Sequence, residues 1–264
     1  MKIRSIARVV LWMMMLGALA AVVGCDDGAE GEGEGEGEAF PDDTGPTCSE
    51  ARTVDCEDEV FTSLTMNLDT AAPGLITNEP DGDGFVTNID GTAGGFNGDG
   101  GWVYGKFTAT GLQKVELIDI DSFGSLDWDI AFRRFVVRVN SGYGGPSCVT
   151  AARTGVDTRY DSLAHVPAGL GFSDEQFMSD PDTCTLIKDG SGLDGTPGVV
   201  LQNWWEYPGC VATTGNVYVL SLADGRRLKL VITDYYDSDQ DQCNDGSGAG
   251  TGGANFKARF AFFE

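Results

Sequence analysis

Ser125-Leu-Asp-Trp-Asp-Ile-Ala-Phe-Arg-Arg-Phe-Val-Val-Arg-Val-Asn-Ser-Gly-Tyr-Gly-Gly145 is the longest dense apolar segment beyond the N-terminal leader. Trp128, Ile130 and Phe132 alternate with Asp127, Asp129 and Ala131, the period of a half-buried strand. After Arg133-Arg134 the apolar set moves to odd positions, at Phe135, Val137 and Val139. A phase change of one residue would swing the core set into water, so the pattern predicts a bulge or a sharp bend. The expectation is one long central strand, bulged near Arg133, that crosses the core and ends at Asn140-Ser141-Gly142.

Working outward, alternation at Leu64, Met66 and Leu68 predicts a first strand over Phe61–Leu68. Ala71–Gly101 is rich in Gly, Asp, Asn and Pro and reads as loop with one short strand at Phe85-Val86-Thr87. Trp102–Thr108 and Lys114–Ile118 are strands separated by a turn at Gly111. Tyr143–Gly198 is irregular, with one helical turn expected at Asp174–Met178, and Val199–Trp205 resumes a strand. Val217–Tyr235 reads as a hairpin about a two-residue Asp224-Gly225 turn. That turn puts Val219 opposite Leu230 and Val217 opposite Ile232, with Lys229 and Arg227 against Leu220 and Leu222. Phe256–Phe263 alternates and ends the chain. No segment keeps a helical period, so the fold class is all-β: a single antiparallel β-sandwich-like domain with long loops, over residues 47–264.

Lys2, Arg4 and Arg8 precede an apolar run at Val9–Val23. That run is shorter than the about 20 residues of a membrane span and suits a secretory leader. It ends in Val22-Val23-Gly24-Cys25, similar to a bacterial lipobox. The reading is a lipoprotein signal peptide at 1–24, Cys25 as the lipidated residue, and an acidic Gly/Glu-rich tether over 25–46 that like charges keep extended. The mature chain would be exported and held by lipid at the outer membrane or cell surface, or else at the periplasmic face of the inner membrane. Its 41 acids face 14 remaining Lys and Arg beyond Cys25, which argues against nucleic acid as a partner.

Six cysteines follow the anchor: Cys48, Cys56, Cys148, Cys184, Cys210 and Cys243. An even count in an exported chain predicts three disulfides. Cys48 and Cys56, eight residues apart, are the one pairing that closeness suggests. No Cys-x-x-Cys occurs and His165 is the only histidine, so a zinc site is not expected. The Gly248-x-Gly250-x-x-Gly253 run lacks the helix of a dinucleotide fingerprint. No Gly-x-Ser-x-Gly elbow occurs, and no catalytic residue is assigned; the chain does not read as an enzyme. Asp237, Asp239, Asp241 and Asp245 have the spacing of a calcium loop, although Gln242 stands at the sharp turn and Gly248 where a bidentate Glu belongs. A weak calcium site is the expectation there.

Three stretches resemble the HmuY-like bacterial lipoproteins: Trp102-Val-Tyr-Gly-Lys-Phe107, Asp127-Trp-Asp-Ile-Ala-Phe-Arg133 and Val137-Arg-Val-Asn-Ser-Gly142. The Ala223-Asp-Gly225 hairpin, Thr233-Asp-Tyr235 and the aromatic last strand are similar in order and spacing. The resemblance covers about 102–142 and 199–263. It implies an all-β, lipid-anchored protein that takes up haem or a porphyrin and passes it to an outer-membrane receptor, or receives it from a haem-carrying protein. In haem-binding members, His or Met side chains from the irregular segment and from the strand before the hairpin grip the iron. Here that strand carries Trp204-Trp205-Glu206-Tyr207-Pro208, with neither. His165 with Met178 could supply the axial pair, or Tyr207 could replace one of them. The alternative is a structural or adhesive surface module of the same fold, stabilised by disulfides and calcium, from which haem binding has been lost.

Overall fold

The structure is a computed structural model that describes residues 43–67, 69–91 and 100–264. The leader, Cys25 and the tether up to residue 42 lie outside the described residues. In chain order the elements are α1 (Glu57–Ser63), β1 (Ile76–Asp81), β2 (Gly84–Asp90), β3 (Val103–Thr108), β4 (Gly111–Val115), β5 (Ile130–Arg133) and β6 (Val136–Val139). There follow β7 (Thr150–Arg153), β8 (Trp205–Glu206), β9 (Ala212–Thr213), β10 (Val217–Ser221), β11 (Arg227–Ser238), α2 (Gln240–Asn244) and β12 (Thr251–Phe262). A six-stranded sheet, β1-β2-β12-β11-β10-β7, faces a four-stranded sheet, β4-β3-β5-β6, and β8 pairs with β9. Every pairing is antiparallel. The all-β sandwich expected from the alternation is the fold.

The quoted stretch is not one bulged strand. It is the β5–β6 hairpin, with Ile130 opposite Val139, Phe132 opposite Val137, and Arg134-Phe135 as its loop. Reversal absorbs the phase change as well as a bulge would: Ile130, Phe132, Val137 and Val139 all reach the core between the sheets. Trp128 lies before β5, in the cluster on the opposite face with Ala131. The 217–235 hairpin also differs. Leu222 N bonds Arg226 O and Gly225 N bonds Leu222 O, a three-residue loop with Gly225 at positive φ. The extra residue shifts the register by one, so Val219 faces Lys229 and Tyr218 faces Leu230.

The inter-sheet core is aromatic. Phe107 of β3 meets Phe260 of β12 at 4.9 Å, and Phe132 meets Phe256 at 5.2 Å. Asn78 of β1 joins the two sheets at one edge: its Nδ2 donates to Leu112 O (3.0 Å) and its Oδ1 accepts from Leu112 N (2.9 Å). β1 was not expected, because Ala71–Gly101 reads as loop from its Gly, Asp, Asn and Pro content; it sits at the sheet edge, where its Pro80 is tolerated.

Other expectations give way to packing. Phe61–Leu68 forms no strand: α1 occupies its start, burying Val60 and Leu64, and Thr65 turns the chain at positive φ. Asp174–Met178 is not helical, because the main chain there is bonded outward, with Glu175 O accepting from Tyr143 N. Val199–Trp205 is mostly turn and 3-10 helix (Gln202–Trp204), and only Trp205 enters a strand. Three disulfides form, Cys48–Cys148, Cys56–Cys184 and Cys210–Cys243. The count matches the expectation, but Cys48 and Cys56 are not paired to each other. Cys48 runs beside the hairpin loop, donating its N–H to Ala223 O, whereas Cys56 precedes α1 and approaches Cys184, Cα to Cα 5.5 Å. Each bridge thus pins an irregular segment that the sheets alone do not hold.

Candidate functional site

The most specific sequence motifs turn out to build the scaffold. Arg138 of β6 is fully buried on the outer side of the four-stranded sheet. Its guanidinium lies 4.7 Å from the Trp102 ring, 4.6 Å from Trp128 and 5.5 Å from Tyr104. It donates to Gly144 O and to Tyr104 Oη (3.0 Å). Tyr104 Oη in turn donates to Asp119 (3.0 Å), whose carboxylate also takes Trp102 N (2.9 Å). Burial raises the Tyr104 phenol well above its ordinary range, so it stays a neutral donor. Asn140 closes the end of β6: its Nδ2 donates to Ser125 O and Trp128 O, and its Oδ1 accepts from Ser147 N. Gly142 has φ 51° and stands where a Cβ would come within 2.3 Å of Glu175 O, so only glycine fits.

The hairpin these residues support carries its loop into a cleft. Arg134, Phe135, Tyr207, Val211, Tyr235 and Tyr236 line a cavity of about 340 Å³. A neighbouring cavity of about 410 Å³ has Trp102, Leu186 and Arg133 in its walls. Arg134, Phe135 and Asp194 line both. The floor is rigid. Phe135 packs on Trp205 at 4.9 Å, and its carbonyl accepts from Trp204 Nε1 at 3.2 Å. Register shifts in β11 on either side of Asp234 turn consecutive tyrosines toward the site, a common use of bulges beside functional clefts. Tyr236 Oη accepts from Val211 N (3.0 Å). Burial pushes the Tyr235 phenol up to about 12. Tyr207 stays 48% exposed, on a segment pinned by Cys210–Cys243.

The residues singled out from the sequence separate. His165 is in a loop over the outer face of the six-stranded sheet, its Nδ1 3.1 Å from Asp43 Oδ2, next to Val166 of the cluster formed with Val217, Val219 and Val231. Met178 is buried beyond the four-stranded sheet, with Trp102, Trp128 and Phe177. The whole sandwich lies between them, so the structure does not bring His165 and Met178 to one ligand; of the three, Tyr207 alone lines the aromatic cleft. Asp237, Asp239, Asp241 and Asp245 form no calcium loop. The chain there ends β11 and winds into α2, while Asp239 accepts from Gln242 Nε2 and Asp245 from Ser247 N. Among the described residues no group of three or more acidic, His or Cys side chains gathers as a metal site. Sequence reading passed over Arg134, Phe135 and Tyr236 as site residues. The one available signal was the phase change at Arg133-Arg134, which marks a turn.

No curated protein matches the chain. Among solved structures it is similar to a HmuY-like haem-binding protein from Bacteroides vulgatus, at 17% identity and TM-score 0.42, covering 73% of this chain and 97% of that one. It is similar also to a lipoprotein from Bacteroides fragilis, at 15% identity and TM-score 0.39, covering 73% and 94%. A third is the apo HmuY analogue of Tannerella forsythia, at 18% identity and TM-score 0.40, covering 73% and 99%. The HmuY protein family model matches residues 99–245, more than half of the sequence and the span that holds the Arg138 scaffold and most of the aromatic cleft; the chain belongs to the HmuY family.

Proposed function

We propose that this protein is a non-enzymatic, lipid-anchored haem- or porphyrin-binding protein, and that the aromatic cleft at the β5–β6 hairpin tip is where the macrocycle docks. The observation that supports it most is the set of half-buried and buried rings, Phe135, Tyr207 and Tyr235, around one concave apolar wall. A flat aromatic ligand gains from stacking and from apolar burial there. The donor set fits one protein ligand to iron. The Tyr207 phenol is an oxygen ligand of the kind ferric haem accepts, whereas a His165/Met178 pair would have to act across the sandwich. Haem is cargo in this reading, handed to or taken from a partner at the membrane surface, with the chain tethered through Cys25 and residues 25–46. Nucleic acid has no place in it.

The separation of His165 from Met178 favours a second reading: a structural surface module that keeps the fold and has lost haem. Titration of the mature chain with haemin, followed in the Soret band, tests the two. Saturable one-to-one binding, weakened and spectrally shifted by Tyr207→Phe but not by His165→Ala or Met178→Ala, is the expected result. No saturable binding leaves the structural module.

A further inference from the structure

Arg134 occupies a backbone position that suits glycine. It is the first of two residues in the β5–β6 loop, with φ 52°, and Phe135 beside it does not share the positive φ. Two-residue hairpins with that sign pattern favour Gly at the first position, because a Cβ there is strained. The backbone needs of the loop do not explain an arginine. The Arg134 N–H donates to Gly91 O at 3.0 Å, a bond that glycine would make equally well. Strained non-glycine residues cluster where a side chain is needed for function.

The side chain stands where a ligand would meet it. Its guanidinium lies 5.3 Å from the centre of the Phe135 ring, and Arg134 lines both cavities that flank the hairpin tip. Arg133, next to it, lines the larger one. A planar guanidinium in the lining of an aromatic cavity can capture a carboxylate borne by a flat apolar body, by charge-assisted and bidentate bonds. Such a cation matters more in a chain so rich in acids, whose field otherwise repels an anionic ligand.

We infer that Arg134 is a specificity-determining residue of the cleft: it binds the carboxylate side chains of the macrocycle while the rings beside it hold the plane. This rests on the haem or porphyrin reading above. Arg134→Gly relieves the strained φ, and the thermal midpoint reports what the fold loses with the side chain's own contacts, such as that with the Phe135 ring. The mature chain and its Arg134→Gly and Arg134→Lys variants are titrated with haemin and with haemin dimethyl ester, and their thermal midpoints are measured. Arg134→Gly is expected to melt no lower than the parent and to bind haemin about ten-fold more weakly, the loss of one exposed charge-assisted contact. Arg134→Lys is expected to fall between the two, and the ester to bind parent and glycine variant alike. Equal haemin affinity in parent and Arg134→Gly overturns this inference alone. Absence of saturable haemin binding by the parent overturns the underlying reading and this inference together.

Discussion

The guanidinium of Arg138 lies 4.6 Å from the centre of the Trp128 ring, with neither residue exposed to solvent. Two family-typical stretches, one before β5 and one in β6, therefore meet in a single buried contact. They hold the hairpin whose loop forms the cleft. What looks like a binding signature is a support for one.

Replacement of Arg138 by alanine should be severe. It removes the donor to Gly144 O and Tyr104 Oη and leaves Asp119 buried without its nearest cation. Breaking such an arrangement costs about 3–5 kcal/mol. Chemical denaturation of the oxidised domain should show that loss; a change below about 1 kcal/mol would mean that the rings alone hold the site.

Stability should fall as pH rises through the weakly acidic range. Burial raises Glu175 from 4.5 to about 7, against the Val139 and Val200 N–H bonds and the Arg138 charge; the nearby Asp174 adds to the rise. Burial likewise raises Asp129 from 3.8 to about 6, against the Phe107 N–H bond and Lys106. Both folded values exceed the unfolded ones, so the folded state binds these protons more tightly. The contribution of these two groups is then full below their unfolded values, is lost between about pH 4 and pH 7, and is flat above. Glu175 supplies up to about 3 kcal/mol of that change. Denaturation midpoints at pH 5 and pH 8 test the sign, and Glu175→Gln should flatten the profile.

All six cysteines from Cys48 to Cys243 should be oxidised. Alkylation of the unreduced, denatured mature chain should find no free thiol among them. Removing Cys210–Cys243, which closes a separation of 33 residues, should lower stability by about 3–4 kcal/mol. If Tyr207 is a ligand, it should weaken haemin binding as well, because the Tyr207 segment loses its pin.

Calcium should not matter. Asp237, Asp239, Asp241 and Asp245 are spread along the end of β11 and around α2 rather than turned toward a common centre. Thermal midpoints in millimolar calcium and in chelator should agree at matched ionic strength; a saturable rise with calcium alone would show that the loop rearranges to bind it.

Local periodicity was enough to establish an all-β chain and most of its strands, and a simple count gave the even set of cysteines that the structure pairs. The strands are carried by neighbours in sequence, through alternation along each one. Two local ambiguities had no local answer. The phase change at Arg133-Arg134 is met equally by a bulge or a reversal, and only the pairing of β5 with β6, Ile130 opposite Val139, decides for reversal. The 222–226 turn accommodates two or three residues, and the register follows from which face of β11 the second sheet covers. Disulfide pairing, the burial of Arg138 and Glu175, and the separation of His165 from Met178 depend on contacts between segments far beyond a strand's repeat: 33 to 128 residues apart for the bridges, 34 for Arg138 with Tyr104 and 36 for Glu175 with Val139. No periodicity records such distances. The cleft itself gathers Phe135, Tyr207 and Tyr235 from a hairpin loop, a disulfide-pinned segment and a bulged strand, which meet only once the sandwich has closed.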